Sequence, residues 1–288
     1  MTLWQQQLAK WVTVACRMEV LSPKPGNVSP GAEFSDASVA DFLTSAEAIA
    51  PEMALAENRP IGETILRCIE VTRSAVGHNT NLGIVLLIAP VAAVPPEISL
   101  FVGVPEILAR TTIQDSHCVY RAIRLAHPAG LGEVDDQDLH SEPTLTLQEC
   151  MRLAAERDLI AAQYTNGFQQ VLNCGLEWLR EAVGVVHSQQ MQIAWLAVRL
   201  LAEFGDSLIA RKCGEEMSNS VRIQAKAIIQ SGWPNKAASE TLFLQFDAFL
   251  RADGNRRNPG TTADLVAAIL FVALREGWFI QDDTWDSP

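Results

Sequence analysis

Apolar positions recur every three or four residues along nearly the whole chain. Trp4, Leu8, Trp11, Val12, Ala15 and Cys16 fall on one helical face, as do Val39, Phe42, Leu43, Ala46 and Ile49. Ser35 and Asp36 stand before the second set as candidate caps. Ile61, Ile65, Leu66 and Ile69 follow Pro60, a residue suited to a first helical turn. Thr146 and Glu149 form a capping-box pair ahead of Met151, Leu153, Leu159 and Ile160. Further helical periods cover about 168–183, 188–204, 215–231, 238–251 and 261–276, and Gly277 is placed to end the last. Leu82 to Val94 is apolar all round and reads as a buried strand or a buried helix. The helical surroundings favour a helix. No alternating strand with a hairpin turn is present. The pattern predicts an all-α protein of about ten or more helices.

A length of 288 residues gives a soft prior of two domains. The only marked break is the polar stretch from Ala129 to Thr144, and nothing else separates two cores. One compact domain over 1–288 is therefore expected. Hydrophobic residues make up 48% and charged residues 19%, enough apolar material to exclude disorder as the main state. The net charge of −12 is the wrong sign for a general nucleic-acid or anionic-membrane binder. It leaves room for a phosphorylated small ligand, which needs only a local group of cations. The six cysteines lie at least 24 residues apart, without a C-x-x-C, so a zinc cluster or redox dithiol is not expected. MTLWQQQLAK lacks the basic and apolar regions of a secretory signal, and the run from Leu82 to Val94 contains Pro90 and is short of the roughly 20 residues of a membrane span. These features predict a soluble cytoplasmic protein.

The common nucleotide and hydrolase signatures are missing: G-x-x-x-x-G-K-[ST], G-x-G-x-x-G, G-x-S-x-G and H-E-x-x-H do not occur. Five polar segments at helix ends carry the candidate chemistry instead. In Glu19–Val28, Pro23 and Pro25 flank Lys24, next to the amides of Gly26 and Asn27. A stiffened lysine there suits a phosphate, and the segment also reads as a plain helix stop. In Gly77–Gly83, Asn79 and Thr80 stand at the start of the most apolar helix, as anion or sugar ligands or simply as caps, with His78 beside them. Glu133, Asp135, Asp136 and Asp138 form an acidic loop, either a hard oxygen site for Mg²⁺ or a solvated turn. In Gly205–Gly214, Asp206 precedes Arg211 and Lys212, combining a metal-binding or basic carboxylate with phosphate-binding cations. Favourable cations at a helix end account for the same pair. In Arg256–Asp264, a Pro-Gly turn leads to a helix start with Thr262 and Asp264.

Taken in order, E-x-x-x-x-P-K-P-G-N-V, R-P-I-G, N-T-x-x-G, G-D-x-x-x-x-R-K-x-G and N-P-G-x-x-A-D-L make the chain resemble the triphosphoribosyl-dephospho-CoA synthase family, from about Ala15 to Gly277. That family includes the citrate-lyase and malonate-decarboxylase accessory enzymes. The resemblance implies an all-helical transferase that joins ATP to 3′-dephospho-CoA, releases adenine and so makes a prosthetic-group precursor. The matching positions are Glu19, Lys24, Pro25, Gly26, Asn79, Thr80, Asp206, Arg211, Asn258, Gly260 and Asp264. Two blocks depart from the citrate-lyase type. N-T-H-K-G is here Asn79-Thr80-Asn81-Leu82-Gly83, and G-A-R-G-E-A is nearest to Gly130-Leu-Gly-Glu133, without its arginine. Fewer cations imply a less charged or different acceptor.

The expected roles follow from displacement at the anomeric carbon of ATP. Lys24, Arg211 and Lys212 are expected to hold the triphosphate, with Pro25, Gly26, Asn27, Asn258 and Gly260 also on substrate. Mg²⁺ is expected on Asp206 and Asp264, with Glu19 or Asp206 as general base. Asn79 and Thr80 are expected to hydrogen-bond the base or sugar, and the acid for adenine is unassigned. The segments 19–28, 77–83, 205–214 and 256–264 are expected to line one cleft, in a chain that pairs as a homodimer. Alternatives are a related transferase with another acceptor such as a pterin, an all-α Mg²⁺-dependent hydrolase or isoprenoid-type enzyme using the acidic loop, and a non-catalytic nucleotide-binding protein.

Overall fold

The computed structural model describes residues 1–128, 137–279 and 285. Among them are fourteen α-helices and no sheet: α1 Leu3–Leu21, α2 Val39–Met53, α3 Ile61–Val76, α4 Leu82–Ala92, α5 Leu100–Ala109, α6 Ile113–Ala126, α7 Leu147–Ala154, α8 Leu159–Asn166, α9 Leu176–Val185, α10 Gln189–Phe204, α11 Ser207–Cys213, α12 Glu215–Ser231, α13 Glu240–Arg251 and α14 Gly260–Arg275. The all-α expectation holds. Most of the acidic segment, with Glu133, Asp135 and Asp136, lies outside the described residues.

Local signals set most boundaries. Capping boxes start α1 (Thr2 with Gln5), α2 (Ser38 with Asp41), α6 (Thr112 with Asp115) and α7 (Thr146 with Glu149). Ser38, rather than Ser35 or Asp36, caps α2, because its hydroxyl and the Asp41 carboxylate close the reciprocal pair. Gly77 ends α3 at φ 80°, and Gly277 follows α14 at φ 72°, backbone that costs a side chain strain. The period over 168–183 is broken, since Gln170–Gly175 forms a π-helical turn before α9.

The main core is built around α4 and α14. Every residue of α4 is buried, which is why its sequence shows no polar face. Pro90 lies inside it and offers no N–H to the Leu86 carbonyl one turn back. That orphaned carbonyl accepts a hydrogen bond from the Tyr164 hydroxyl of α8 at 2.7 Å. At the other end of α4, Arg275 donates to the carbonyls of Val91, Val94 and Pro95, closing α14 onto its C-terminus. A second apolar cluster joins α10 to α12 and α13 through Trp195, Val198, Leu201, Val221, Ile228, Phe243 and Phe246. The helix α10 belongs to both, with Ile193, Leu196 and Leu200 turned to the main core and Trp195, Val198 and Leu201 to the second.

These packings place helix ends around one opening. Going round it, α3 packs on α6, α6 on α7, α7 on α8, α8 on α14, and α14 on both α11 and α4, while α2 closes the circuit against α3. The N-termini of α4, α8 and α14 meet there, each carrying the positive end of its helix dipole.

Candidate active site

The opening is a cavity of about 1040 Å³. All four sequence segments expected at one cleft reach it: Glu19 and Asn27 from the first, His78 to Gly83 from the second, Leu208, Arg211 and Lys212 from the third, and Asn258, Gly260, Thr261, Ala263 and Asp264 from the fourth. Within that set are Asn79, Thr80, Arg211, Lys212, Asn258, Gly260, Glu19, Asn27 and Asp264, nine of the residues singled out by sequence.

Four others stand behind the wall. Lys24 is buried, with 2% of its surface exposed, and does not project as a phosphate ligand. Its ammonium donates to the Glu19 carboxylate at 3.0 Å, to the Glu19 backbone carbonyl and to the Ser22 carbonyl at 3.2 Å. The reason is the α1 terminus: the last carbonyls of a helix lack partners, and a lysine one turn beyond supplies them. Pro25 and Gly26 form the turn after it. Gly26, at φ 71°, lies against Leu250 and Pro259, and its N–H donates to Asp247 at 2.7 Å. Asn27 reaches the Pro259 carbonyl at 3.4 Å, so the first and fourth segments hold one another.

Asp206 is the fourth departure. Its carboxylate is sealed, 1% exposed, and does not line the cavity. One oxygen accepts the N–H groups of Leu208 and Ile209 at 2.9 and 3.1 Å, capping α11. The other accepts the N–H and hydroxyl of Thr262 in α14, both at 2.8 Å. Burial pushes its pKa up, opposed by the Thr262 and Ile209 donors and by Arg211. With four donors on two oxygens, Asp206 joins the starts of α11 and α14 and has no face left for a metal or a substrate.

Asp264 is placed differently. It lines the cavity one turn into α14 and makes no hydrogen bond or ion pair with the described residues. Its carboxyl occupies the space left by the missing side chain of Gly83: a β-carbon there would stand 2.0 Å from Oδ2. Desolvation raises its pKa well above the ordinary value. Glu19, Asp206 and Asp158 raise it further, and Arg211 opposes them. Glu19 also carries a raised pKa from burial, with the Lys24 charge acting against it. Among the described residues no three His, Cys, Asp or Glu side chains approach closely enough to hold an ion by themselves.

A family model described as CitG: ATP:dephospho-CoA triphosphoribosyl transferase matches residues 5–282. The chain belongs to this family. A solved structure from Archaeoglobus fulgidus, described as that of a candidate triphosphoribosyl-dephospho-CoA synthase, is 28% identical. It covers 83% of this chain and 100% of its own, with a TM-score of 0.64. A search among curated proteins returns no match. Family membership makes the chain a transferase and agrees with the resemblance read from its motifs.

The cavity also gathers residues the sequence reading did not select. Asp158 caps α8 through the N–H groups of Ile160 and Ala161, and its second oxygen holds Arg211 in an ion pair. Arg157 beside it and Arg73 at the end of α3 line the same space, both exposed and without an acidic partner among the described residues. His127 lines it too, as the left-handed residue ending α6. Asp158 had one readable signal, an acid directly before the apolar run of α8. The arginines had none, because isolated cations at helix ends are common. Asn79 and Thr80 keep partly structural contacts: Asn79 accepts the Leu82 N–H at 3.0 Å, and Thr80 donates to Ser45 at 2.8 Å.

Proposed function

We propose that this cavity holds ATP and 3′-dephospho-CoA together and transfers the triphosphoribosyl group of ATP to a hydroxyl of the acceptor, releasing adenine. The observation that carries the reading is the convergence on one cavity of Glu19, Asp264 and the cations Arg157, Arg211 and Lys212, framed by three helix N-termini. Helix N-termini and guanidinium groups are suited to phosphates, and Arg211 is already fixed by Asp158. A volume of about 1040 Å³ is at the upper end of small-molecule sites, as two nucleotide substrates require.

In the reaction the acceptor oxygen forms a bond to the anomeric carbon of the ATP ribose. The bond from that carbon to the adenine nitrogen breaks, and its electron pair leaves on adenine. The acceptor hydroxyl gives up one proton, and the departing base takes one. Glu19 is the base for the first transfer, since it is the carboxylate at the cavity wall that Lys24 holds in place. Arg211, Lys212 and Arg157 orient the triphosphate and balance its charge.

The donor set fits a divalent cation. Asp264 is a carboxyl without a hydrogen-bond or ion-pair partner among the described residues, crowded by other acids, and a cation shared with the phosphates would relieve that crowding. Asp264 would hold Mg²⁺, with phosphate oxygens and water completing its shell, and the ion would neutralise phosphate charge. No helix among the described residues is long and apolar enough to cross a membrane, and all six cysteines are free thiols, which suits a reducing cytoplasmic setting.

The test is incubation with ATP, Mg²⁺ and a panel of hydroxyl acceptors that includes dephospho-CoA and pterins. Free adenine should appear with dephospho-CoA, accompanied by an acceptor gaining the mass of a triphosphoribosyl group. Adenine release with a different acceptor alone would replace dephospho-CoA in this reading, and ATP hydrolysis without adenine would end it.

A further inference from the structure

We infer that Lys24 is a positioning residue, acting on the reaction through Glu19 and not through phosphate. This rests on the reading of Glu19 as the base. An ammonium has three donors. In Lys24 all three are spent, on the Glu19 carboxylate, the Glu19 carbonyl and the Ser22 carbonyl. The side chain is 2% exposed and stands behind the cavity wall, whereas Glu19, 3% exposed, reaches the cavity. The geometry therefore leaves no proton of Lys24 for a ligand.

The surrounding sequence keeps that arrangement. Pro23 and Pro25 lack N–H groups and fix φ on either side of the lysine, so the chain turns back across the α1 terminus. The Ser22 hydroxyl donates to the Met18 carbonyl at 2.7 Å and the Ser22 N–H to Glu19, closing the helix end on which the carboxylate rides. Gly26 and Asn27 then anchor the turn to α13 and to the start of α14. The lysine thus locks one carboxylate oxygen of Glu19 and leaves the other for the cavity. The same tether recurs across the cavity, where Asp158 fixes Arg211.

The test compares Lys24→Met, Glu19→Gln and the double variant, each followed by circular dichroism, turnover and calorimetric ATP binding. Removing a well-placed base is expected to lower kcat about 10²- to 10⁴-fold. Lys24→Met should lower kcat about tenfold or more, with the ATP dissociation constant within about threefold of the wild type. The double variant should be no slower than Glu19→Gln alone, because the lysine has nothing left to position. Lys24→Met leaves a buried, unpaired carboxylate and is the variant most prone to unfold. The double variant removes both charges and supplies the ATP measurement if it does. An ATP affinity about tenfold weaker in the double variant than in Glu19→Gln overturns the inference, since it makes Lys24 a phosphate ligand. So does a double variant much slower than Glu19→Gln. A Glu19→Gln enzyme with wild-type kcat instead defeats the base assignment while leaving the ATP comparison for Lys24 intact.

Discussion

Replacing Asp206 by asparagine should damage the scaffold before it damages the chemistry. The wild-type carboxylate accepts four hydrogen bonds, two from α11 and two from Thr262, and water does not reach it. An amide keeps one accepting oxygen and turns the other into a donor. If the amide oxygen stays with Leu208 and Ile209, its NH₂ group faces the Thr262 N–H, and a buried backbone donor loses its partner. That loss costs about 1–3 kcal/mol. If the amide flips, the cap of α11 is lost instead, at about 0.5–2 kcal/mol. These costs correspond to a fall in Tm of about 1–5 °C for a chain of this size. Thermal unfolding followed by circular dichroism measures it. The folded fraction of the variant, assayed well below its Tm, should still release adenine. An unchanged Tm together with abolished turnover would refute this reasoning and return Asp206 to the reaction.

Gly83→Ala places a methyl group 2.0 Å from the Asp264 carboxyl and 2.7 Å from Ile160. Alanine is the better helix former by about 1 kcal/mol, so turnover should drop more than tenfold with little change in helix content, and wild-type turnover would contradict the interlock. Asp158→Ala frees Arg211 and uncaps α8. It should raise the KM for ATP about tenfold and cost about 0.5–2 kcal/mol of stability, read by kinetics and urea unfolding. Desolvation raises the Asp264 pKa, so protons compete with a cation there. The Mg²⁺ concentration giving half-maximal rate should rise as pH falls from about 8 to about 6, and a requirement independent of pH would argue against Asp264 as a ligand.

Much of this was legible in the chain. The helical period, the Thr146–Glu149 box and the glycine stop at Gly277 are local signals, and local physics satisfies them. The all-apolar α4 was ambiguous from periodicity, and its neighbours resolved it. Motif order also brought four distant segments to one cavity. What the sequence did not reveal is which member of a polar segment faces the ligand. Lys24 and Asp206 read as chemistry because charge in a stiff loop looks available. Only the fold shows that one is consumed by the α1 carbonyls and the other by two helix starts. Asp264, expected to share a cation with Asp206, is the member of that pair that lines the cavity, without a hydrogen bond or ion pair among the described residues. Gly83 has no sequence signature for its task, because the contact it permits lies across the core in α14.

The most direct measurement counts adenine and product together for wild type and Asp264→Ala, with ATP, Mg²⁺ and dephospho-CoA. Asp264 makes no hydrogen bond or ion pair with the described residues, so the variant loses the packing of its carboxyl against Gly83 and should stay folded, as circular dichroism would show. The wild type should give one free adenine for each dephospho-CoA that gains a triphosphoribosyl group, by mass spectrometry. The folded variant should give neither. Equal yields from both proteins, or a wild type that consumes ATP without releasing adenine, would contradict the assignment of this cavity to triphosphoribosyl transfer.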